Sequence, residues 1–339
     1  MTDKGDSIGQ AGEFALIDAL FNRSPAPPEE VHGGIGDDAA LLAAAGGEDW
    51  AAAVDTVEEG VHALPGSDPE ALGWKAVAVN VSDLAAMAAR PRHALLAASL
   101  PRSMSRERAE RLADGLQAAL EEWEVVLVGG DTVATPGALS LSLTLLGRVP
   151  LAKALRRSGA RPGDTVYVTG TLGDAAAGLE LLREPPEVWQ SAYDWLVERH
   201  LRPRPPLSFG MGIGGEASAA IDVSDGLLAD LRHMAAASGV GIEIDAARLP
   251  LSAPMGEWAW ATGRDPLPLA LSGGEDFELV FTAGEEAFEG IHRAKYQNDT
   301  PFTAIGRVTA ERPGAVFGDG VPEAAGGYDH FAEPGPAGS

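Results

Sequence analysis

Apolar and polar residues alternate in the segment of residues 139–149, where the leucines at positions 139, 141, 143 and 145 are separated by serine and threonine. A period of two is typical of a β-strand with one buried face. Residues 105–123 carry apolar side chains at helical spacing and begin at a serine, so they predict a helix. Apolar runs predict further strands at residues 50–56, 94–100, 124–132, 165–169 and 241–245, and directly after Asp276.

One apolar run, residues 76–81, stops at polar residues and is followed by an alanine-rich segment. We interpret it as a strand that delivers polar side chains to the N-terminus of a helix ended by Arg90-Pro91-Arg92. Residues 220–228 repeat this design and predict a second strand followed by a helix to about residue 237. Ordinary helix capping would explain either segment alone. The repetition favours two related halves, whose polar residues are Asn80, Ser82 and Asp83, and Asp222, Ser224 and Asp225.

Glycine-rich turns carry further acids at Asp37-Asp38, Gly129-Gly130-Asp131 and Gly273-Gly274-Glu275-Asp276. Adjacent carboxylates repel each other unless a cation or a proton relieves them, so metal or nucleotide binding is favoured over a simple polar turn. Residues 170–174 form a similar turn and predict the start of a helix. Residues 210–215 match G-x-G-x-x-G, but no strand precedes them, so we predict a loop there. An amphipathic helix is predicted at residues 12–21.

The composition, 45% hydrophobic and 22% charged in 339 residues, is that of a globular protein of two domains divided near Pro150. A net charge of −25 argues against nucleic acid or an anionic membrane as partner, because both need clustered cations. The absence of cysteine excludes disulfides and thiolate chemistry. No apolar run approaches the length of a membrane span, so a cytoplasmic location is expected.

Six aspartates follow predicted strands or glycine turns and would line one cleft if the two halves face each other. Clustered oxygen ligands without histidine or cysteine suit Mg²⁺, which favours phosphoryl transfer. Neither G-x-x-x-x-G-K-[ST] nor the protein-kinase motifs are present. The six residues are Asp38, Asp55, Asp83, Asp131, Asp222 and Asp225.

Several of these motifs, in this order, resemble the thiamine-monophosphate kinase family over nearly the whole chain. They are Gly34–Ala39, Asn80–Met87, Gly129–Thr132, Arg157–Ala160, Thr169–Asp174, Ile221–Leu227, Ser272–Asp276 and Gly327–Phe331. The resemblance implies a two-domain α/β (α+β) fold like that of aminoimidazole ribonucleotide synthetase. Residues 1–150 would bind ATP and Mg²⁺ and pair their strands across a homodimer, and the α/β domain of residues 151–339 would complete the cleft.

The same resemblance implies that ATP phosphorylates thiamine monophosphate to thiamine diphosphate by direct in-line transfer. It implies Mg²⁺ ligands at the six aspartates. It implies nucleotide contacts at Gly130, Asp131, Arg157 and Ser224, with catalytic roles for Asp83, Asp131, Asp225 and Arg157. Contacts to the thiamine phosphate are implied at His62, Glu275 and Tyr328, with Tyr328 stacked on a substrate ring.

One position departs from the family pattern, which has Ser-Thr before the second aspartate. Here Ala53-Val54 precede Asp55, so a Val54 backbone carbonyl would replace the hydroxyl ligand. The alternatives are another ATP-using member of the superfamily acting on a small phosphorylated or amide substrate, and a non-catalytic protein that binds a divalent cation or nucleotide. A selenide-activating relative usually relies on a reactive cysteine or selenocysteine near its N-terminus. This sequence contains no cysteine, which argues against that alternative.

Overall fold

The computed structural model describes residues 29–322, which form two six-stranded sheets with helices packed on them. The first half contains β1 (Val31–Gly33), β2 (Ala40–Ala43), β3 (Glu48–Glu58), α1 (Pro69–Ala86), β4 (Arg90–Pro101), α2 (Arg106–Glu122), β5 (Val126–Thr135) and β6 (Ser140–Pro150). The second half contains β7 (Thr165–Thr169), α3 (Asp174–Arg183), α4 (Ser191–Leu201), α5 (Leu207–Ile213), β8 (Ala219–Asp222), α6 (Leu227–Ser238), β9 (Gly241–Ile244), α7 (Ala253–Thr262), α8 (Leu267–Ser272), β10 (Leu279–Ala283), α9 (Phe288–Asn298), β11 (Phe302–Thr309) and β12 (Val316–Phe317).

The first sheet has the strand order β1-β2-β3-β6-β4-β5 and is antiparallel except for the pair β4 and β5. Its central strand β6 alternates buried and half-buried residues, as the period of two in the sequence predicts. β5 lies at the edge and is exposed along nearly its whole length. The sheet therefore ends in a strand whose outer edge has no partner within residues 29–322.

The second sheet has the order β12-β9-β11-β7-β10-β8 and is antiparallel except for the pair β12 and β9. Its central strand β7 confirms the strand predicted at residues 165–169, and α3 begins after the left-handed Gly173, as the glycine turn predicts. β8 is followed by α6, which confirms the strand and helix predicted around Asp222. The helix predicted at residues 105–123 is α2, with Ser105 as its N-cap.

The strand predicted at residues 76–81 is wrong, because these residues lie inside α1. Asp68 caps this helix, Pro69 occupies its first turn, and 16 of its 18 residues are buried. A helix buried on every side carries no polar stripe, so its apolar run is indistinguishable by period from a buried strand. Asn80, Ser82 and Asp83 are therefore in the interior of a helix and are not its caps. The helix ends at Ala86, and Arg90 already begins β4.

Two smaller predictions also differ from the structure. The glycine-rich residues 210–215 were expected to form a loop, but most of them belong to the short helix α5. A Cβ on Gly210 would lie 2.3 Å from the Ala85 carbonyl oxygen, so this glycine allows α5 to pack directly on α1. The strand predicted at residues 124–132 continues to Thr135, because β5 pairs with β4 along its length. The helix predicted at residues 12–21 lies outside the described residues.

One hydrophobic core joins the two halves. It contains Val77 and Leu84 of α1, Leu143 of β6 and Phe281 of β10. The central helix α1 is thus packed against both sheets and carries side chains to the space between them. Among the helices of residues 29–322, none has both the length and the apolar content that a membrane span requires.

Candidate active site

Three aspartates from distant parts of the chain meet between the two halves. One oxygen of each of Asp38, Asp83 and Asp222 lies within 4.8 Å of the corresponding oxygens of the other two. Asp38 precedes β2, Asp83 lies in α1 and Asp222 ends β8. The turn before β2, the helix α1 and the end of β8 therefore bring three carboxylates to one place, as predicted for a shared cleft.

Two polar side chains of α1 form hydrogen bonds to strands that carry predicted metal ligands, β8 with Asp222 and β3 with Asp55. The Ser82 hydroxyl donates a hydrogen bond of 2.7 Å to the Asp222 carboxylate, across 140 residues of sequence. The Asn80 side chain accepts a hydrogen bond of 3.1 Å from the backbone N–H of Asp55 in β3, and donates to the carbonyl of Ala76 one turn earlier. The polar residues that we expected at the end of a strand and the N-terminus of a helix instead lie inside α1, where they attach it to β3 and β8.

Burial and mutual repulsion dominate the electrostatics of this cluster. Burial, together with the charges of Asp55, Asp222 and Asp38, holds the pKa of Asp83 well above its ordinary value, and the Asp55 carboxylate also shares a hydrogen bond with Asp83. Burial and the Asp38 charge raise the pKa of Asp222 to about 8. Asp55 therefore belongs to the same cluster.

Arg157 supplies the positive charge that contacts this cluster directly. Its guanidinium donates to one oxygen of Asp38 at 2.6 Å and 3.0 Å, and its backbone N–H donates to Asp37 at 2.8 Å. The carboxylate of Asp38 opposes burial and raises the pKa of Arg157 above its ordinary value. Arg157 thus fastens the Asp37-Asp38 turn and neutralises one of the acids.

The donor set fits a divalent magnesium ion. The second oxygen of Asp38 is buried and has no hydrogen-bond partner among residues 29–322. Leaving a buried carboxylate oxygen unpaired is costly, and so is packing three or four carboxylates together. A hard cation bound by carboxylate oxygens would relieve both costs, and oxygen is the ligand that Mg²⁺ prefers. Asp38, Asp55, Asp83 and Asp222 are the residues placed to hold it.

Asp225 and Ser224 lie in the turn between β8 and α6, next to Asp222. The Asp225 charge is among the causes, after burial, that raise the pKa of Asp230, a buried aspartate in α6. Asp230 also accepts a hydrogen bond of 3.1 Å from the Gly226 backbone N–H. Asp230 was not predicted from the sequence, because a single acid in a predicted helix looks like part of a solvated face.

Gly130 and Asp131 lie on the exposed strand β5, and Asp131 is outside the group of three close carboxylates. A Cβ on Gly130 would lie 1.9 Å from the Leu96 carbonyl oxygen, so only glycine fits that close approach between β5 and β4. Val54 lies in β3 and is 65% exposed. The structure therefore brings Asp38, Asp55, Asp83 and Asp222 together, and it places Asp131 on a separate surface strand.

Two of the predicted substrate residues, His62 and Glu275, are joined by Lys75, which was not predicted from the sequence. The ammonium of Lys75 in α1 donates to the His62 carbonyl oxygen and to the Glu275 carboxylate, each at 3.0 Å. A lysine within an apolar run was the available signal. Tyr328 lies outside the described residues.

The turn that carries Glu275 is bound to the turn that carries Ser224. The backbone N–H of Glu275 donates to the Ser224 carbonyl at 2.8 Å, and the N–H of Phe277 donates to the Val223 carbonyl at 2.9 Å. The Glu275 backbone has φ of +69°, a conformation that non-glycine residues rarely adopt. The predicted metal and substrate residues of the second half therefore form one connected unit.

Two family models match the chain. AIR synthase related protein, N-terminal domain, matches residues 36–149, and the C-terminal domain of the same family matches residues 161–319. The thiamine-monophosphate kinase of Salmonella typhimurium is 44% identical over 327 residues, which cover 95% of this chain and 99% of that protein.

Solved structures agree with these sequence comparisons. A structure of AaThiL complexed with AMPPCP and TMP has a TM-score of 0.86 and 36% identity, and the match covers 96% of this chain and 99% of that one. The thiamine-monophosphate kinase of Stenotrophomonas maltophilia K279a has a TM-score of 0.75 and 42% identity over 92% of this chain and 98% of that one. The predicted two-part α/β fold is confirmed by both kinds of comparison.

Proposed function

Because this chain belongs to the thiamine-monophosphate kinase family, we infer that it phosphorylates thiamine monophosphate to thiamine diphosphate with ATP as the phosphoryl donor. The observation that carries this function is the 44% identity over nearly the whole of both chains. The AaThiL structure with AMPPCP and TMP supports the same pair of substrates. The meeting of Asp38, Asp83 and Asp222 in one place supports the chemistry.

The acceptor in this reaction is already a phosphate oxyanion, so the enzyme needs no general base to deprotonate it. The difficulty is to bring two anions together and to hold them in line. We therefore propose direct in-line transfer without a covalent enzyme intermediate. Arg157 would contact the nucleotide phosphates, because its guanidinium lies beside the carboxylate cluster and its side chain is 16% exposed.

Mg²⁺ is proposed as the metal, held by Asp38, Asp55, Asp83 and Asp222 with Asp225 in the adjoining turn. Bound there, it would supply the positive charge that lets phosphate oxygens approach carboxylates. The unpaired oxygen of Asp38 and the raised pKa of Asp222 support a cation at this point. Asp131 and the Val54 carbonyl stay predictions as ligands.

The remaining site assignments are also proposals. Gly130, Asp131, Arg157 and Ser224 would contact the nucleotide, and Asp83, Asp131, Asp225 and Arg157 would act in catalysis. His62 and Glu275 would contact the thiamine phosphate, and their link through Lys75 supports a common role. Tyr328 would stack on a substrate ring.

We propose that two chains pair as a homodimer through the first sheet. The edge strand β5 supports this, because Val126, Val128 and Val133 are each at least half exposed. An unpaired strand with apolar side chains is a template for pairing with another chain.

We also propose a division into two domains at residue 150, with ATP and Mg²⁺ bound mainly by the first domain. The sequence-based expectations of a cytoplasmic location and of no nucleic-acid partner stay predictions.

The function is tested by measuring ADP formation from ATP and Mg²⁺ with different acceptors. We expect turnover with thiamine monophosphate and none with unphosphorylated thiamine. Equal ADP formation without any acceptor would indicate a simple ATPase and contradict the proposal. Binding of ATP without turnover in the presence of any acceptor would favour a non-catalytic nucleotide-binding protein.

A further inference from the structure

Lys75 is a lysine in the interior of the protein. It lies in α1, and its side chain is only 2% exposed. Lysine is almost never fully buried unless its charge is paired, because moving an ammonium out of water is costly. The chain therefore keeps a residue here that packing alone would disfavour.

The two acceptors of the Lys75 ammonium come from the two halves of the chain. One is the backbone carbonyl of His62, in the turn between β3 and α1, and the other is the carboxylate of Glu275, which is 200 residues away in sequence. Both distances are 3.0 Å. A single side chain thus ties a turn of the first half to a turn of the second half.

Glu275 is held from several directions and still reaches solvent. Its backbone is fixed by the hydrogen bond to Ser224 and by the left-handed φ of +69°. One carboxylate oxygen contacts Lys75, and the other lies 3.1 Å from Nδ1 of the buried His200. The Glu275 side chain is 23% exposed. A carboxylate that is fixed on one side and open on the other is suited to contact a ligand.

Lys75 supplies the positive charge of this group at neutral pH. Burial, assisted by the Lys75 charge, lowers the pKa of His200 below its ordinary value, so the imidazole is neutral. Although burial acts to raise it, Lys75 and then His200 lower the pKa of Glu275 to about 2. Glu275 is therefore ionised, and its charge is balanced mainly by Lys75.

We propose that Lys75 is a positioning residue for the phosphate acceptor, which fixes the Glu275 carboxylate and the His62 turn in the geometry that binds thiamine monophosphate. This inference rests on the proposed function. It assigns Lys75 to the acceptor end of the cleft and gives it no contact with the nucleotide. Arg157, which contacts Asp37 and Asp38, serves the other end.

The position of Lys75 on α1 explains how one helix contacts both the carboxylate cluster and the residues at the acceptor end of the cleft. Lys75 and Ser82 are seven residues apart, which is two turns and about 10 Å along a helix, so they share one face. Ser82 contacts Asp222 of the carboxylate cluster, and Lys75 contacts Glu275. The same face of α1 thus fixes the metal ligands and the acceptor residues at a constant separation.

The test compares the KM values for thiamine monophosphate and for ATP in Lys75→Met, Lys75→Gln and Lys75→Arg. For Lys75→Met we expect the KM for thiamine monophosphate to rise about tenfold or more, because a charge-assisted hydrogen bond is lost, while the KM for ATP stays within about twofold. Lys75→Arg should restore part of the affinity. If Lys75→Met does not fold, Lys75→Gln, which can still donate to the His62 carbonyl, should show the same selective rise.

The matched control is Asp164→Asn. Asp164 is also buried and accepts hydrogen bonds from the Ser218 hydroxyl and the Arg161 N–H, away from the carboxylate cluster. We expect it to lower thermal stability and to leave both KM values within about twofold. A general loss of stability would therefore not imitate the selective effect of Lys75.

A double-mutant cycle identifies the partner. If Lys75 acts through Glu275, the variant that combines Lys75→Met and Glu275→Gln should bind thiamine monophosphate no worse than the weaker single variant. Unchanged KM values in Lys75→Met, equal rises of both KM values, or fully multiplicative effects in the double variant would overturn the proposal. Formation of thiamine diphosphate by the unsubstituted protein tests the function separately, so an error about Lys75 would appear as an unchanged KM in an active enzyme.

Discussion

Asp83 lies where the carboxylates of the cleft are most crowded. Asp38 and Asp222 lie within 4.8 Å of it, and Asp55 shares a hydrogen bond with it. Such a group of acids destabilises the fold when no cation is bound, because each charge raises the free energy of the others. The cluster is therefore not explained by stability, and the proposed Mg²⁺ would account for it.

Replacing Asp83 by asparagine should separate activity from stability. We expect kcat to fall on the order of 100-fold or more, because a ligand of the proposed Mg²⁺ is lost, and with it positive charge that stabilises the transition state. In a chelator at pH 7.5 the Tm should rise, because a carboxylate whose folded pKa is raised destabilises the protein above its unfolded pKa. Turnover assays and calorimetry check both results. Full activity with an unchanged Tm would contradict a role for Asp83 in the cluster.

Glu275 should affect stability in the opposite direction. Its pKa is lowered from 4.5 to about 2, so its contribution is fully present above pH 4.5 and is lost as the pH falls towards 2. Urea unfolding at pH 5, 4 and 3 should therefore show a gap between the unsubstituted protein and Glu275→Gln that narrows with falling pH. The exposed Glu257→Gln in α7 is the control. A gap that stays constant over this range would refute the ion pair.

The residues that form the site could be predicted from the sequence better than the contacts between them. Asp38, Asp55, Asp83 and Asp222 could be chosen because acids next to glycine or at predicted strand ends suit a metal. Asp230 could not, because its importance depends on burial. Lys75 stood out only as a lysine within an apolar run, because its partner Glu275 is 200 residues away in sequence. Which of the predicted acids meet is likewise decided by packing between the two halves.

The helix α1 is the element that connects the two halves of the cleft. Its side chains contact β3 through Asn80, β8 through Ser82 and the turn before β10 through Lys75. Its sequence looks like a strand because nearly every face is buried, so the usual polar stripe is missing. The amphipathic α2 and the half-exposed β6 had clear periods and were predicted correctly.

Packing of α2 on α1 depends on two glycines. A Cβ on Gly115 would lie 2.0 Å from the Glu70 carbonyl oxygen, and one on Gly73 would lie 2.3 Å from that of Leu112. Gly115→Ala should therefore lower the free energy of unfolding by about 1–3 kcal/mol, although alanine is the better helix former. Gly256→Ala in α7, where a Cβ meets nothing within 4 Å, should instead raise it by about 0.5–1 kcal/mol. Equal effects of both substitutions in denaturant unfolding would contradict the close contact.

The whole molecule presents an apolar strand edge that a second copy would cover. Val126→Glu combined with Val133→Glu on β5 should convert a dimer into a monomer, because a charge would be buried at the interface. Light scattering gives the mass directly. Leu151→Glu, equally exposed but outside β5, should leave the dimer intact. A monomeric unsubstituted protein would rule out the proposed pairing.

The two-part organisation of the molecule was visible in the sequence, but the arrangement of its sheets was not. The repeated acidic segments indicated two halves, although the segments adopt different structures, one inside α1 and one between β8 and α6. Strand order depends on long-range pairing, such as β6 inserting between β3 and β4, for which local periodicity carries no signal. The ordered motifs of the family implied the two-domain fold but not the order of the strands.

The most direct test of the function is ³¹P NMR of the products formed from ATP, Mg²⁺ and thiamine monophosphate. We predict that the monophosphate resonance is replaced by the two resonances of thiamine diphosphate, with one ADP formed for each and no free phosphate. Formation of ADP and inorganic phosphate, with thiamine monophosphate unchanged, would show that water is the acceptor and would contradict the account.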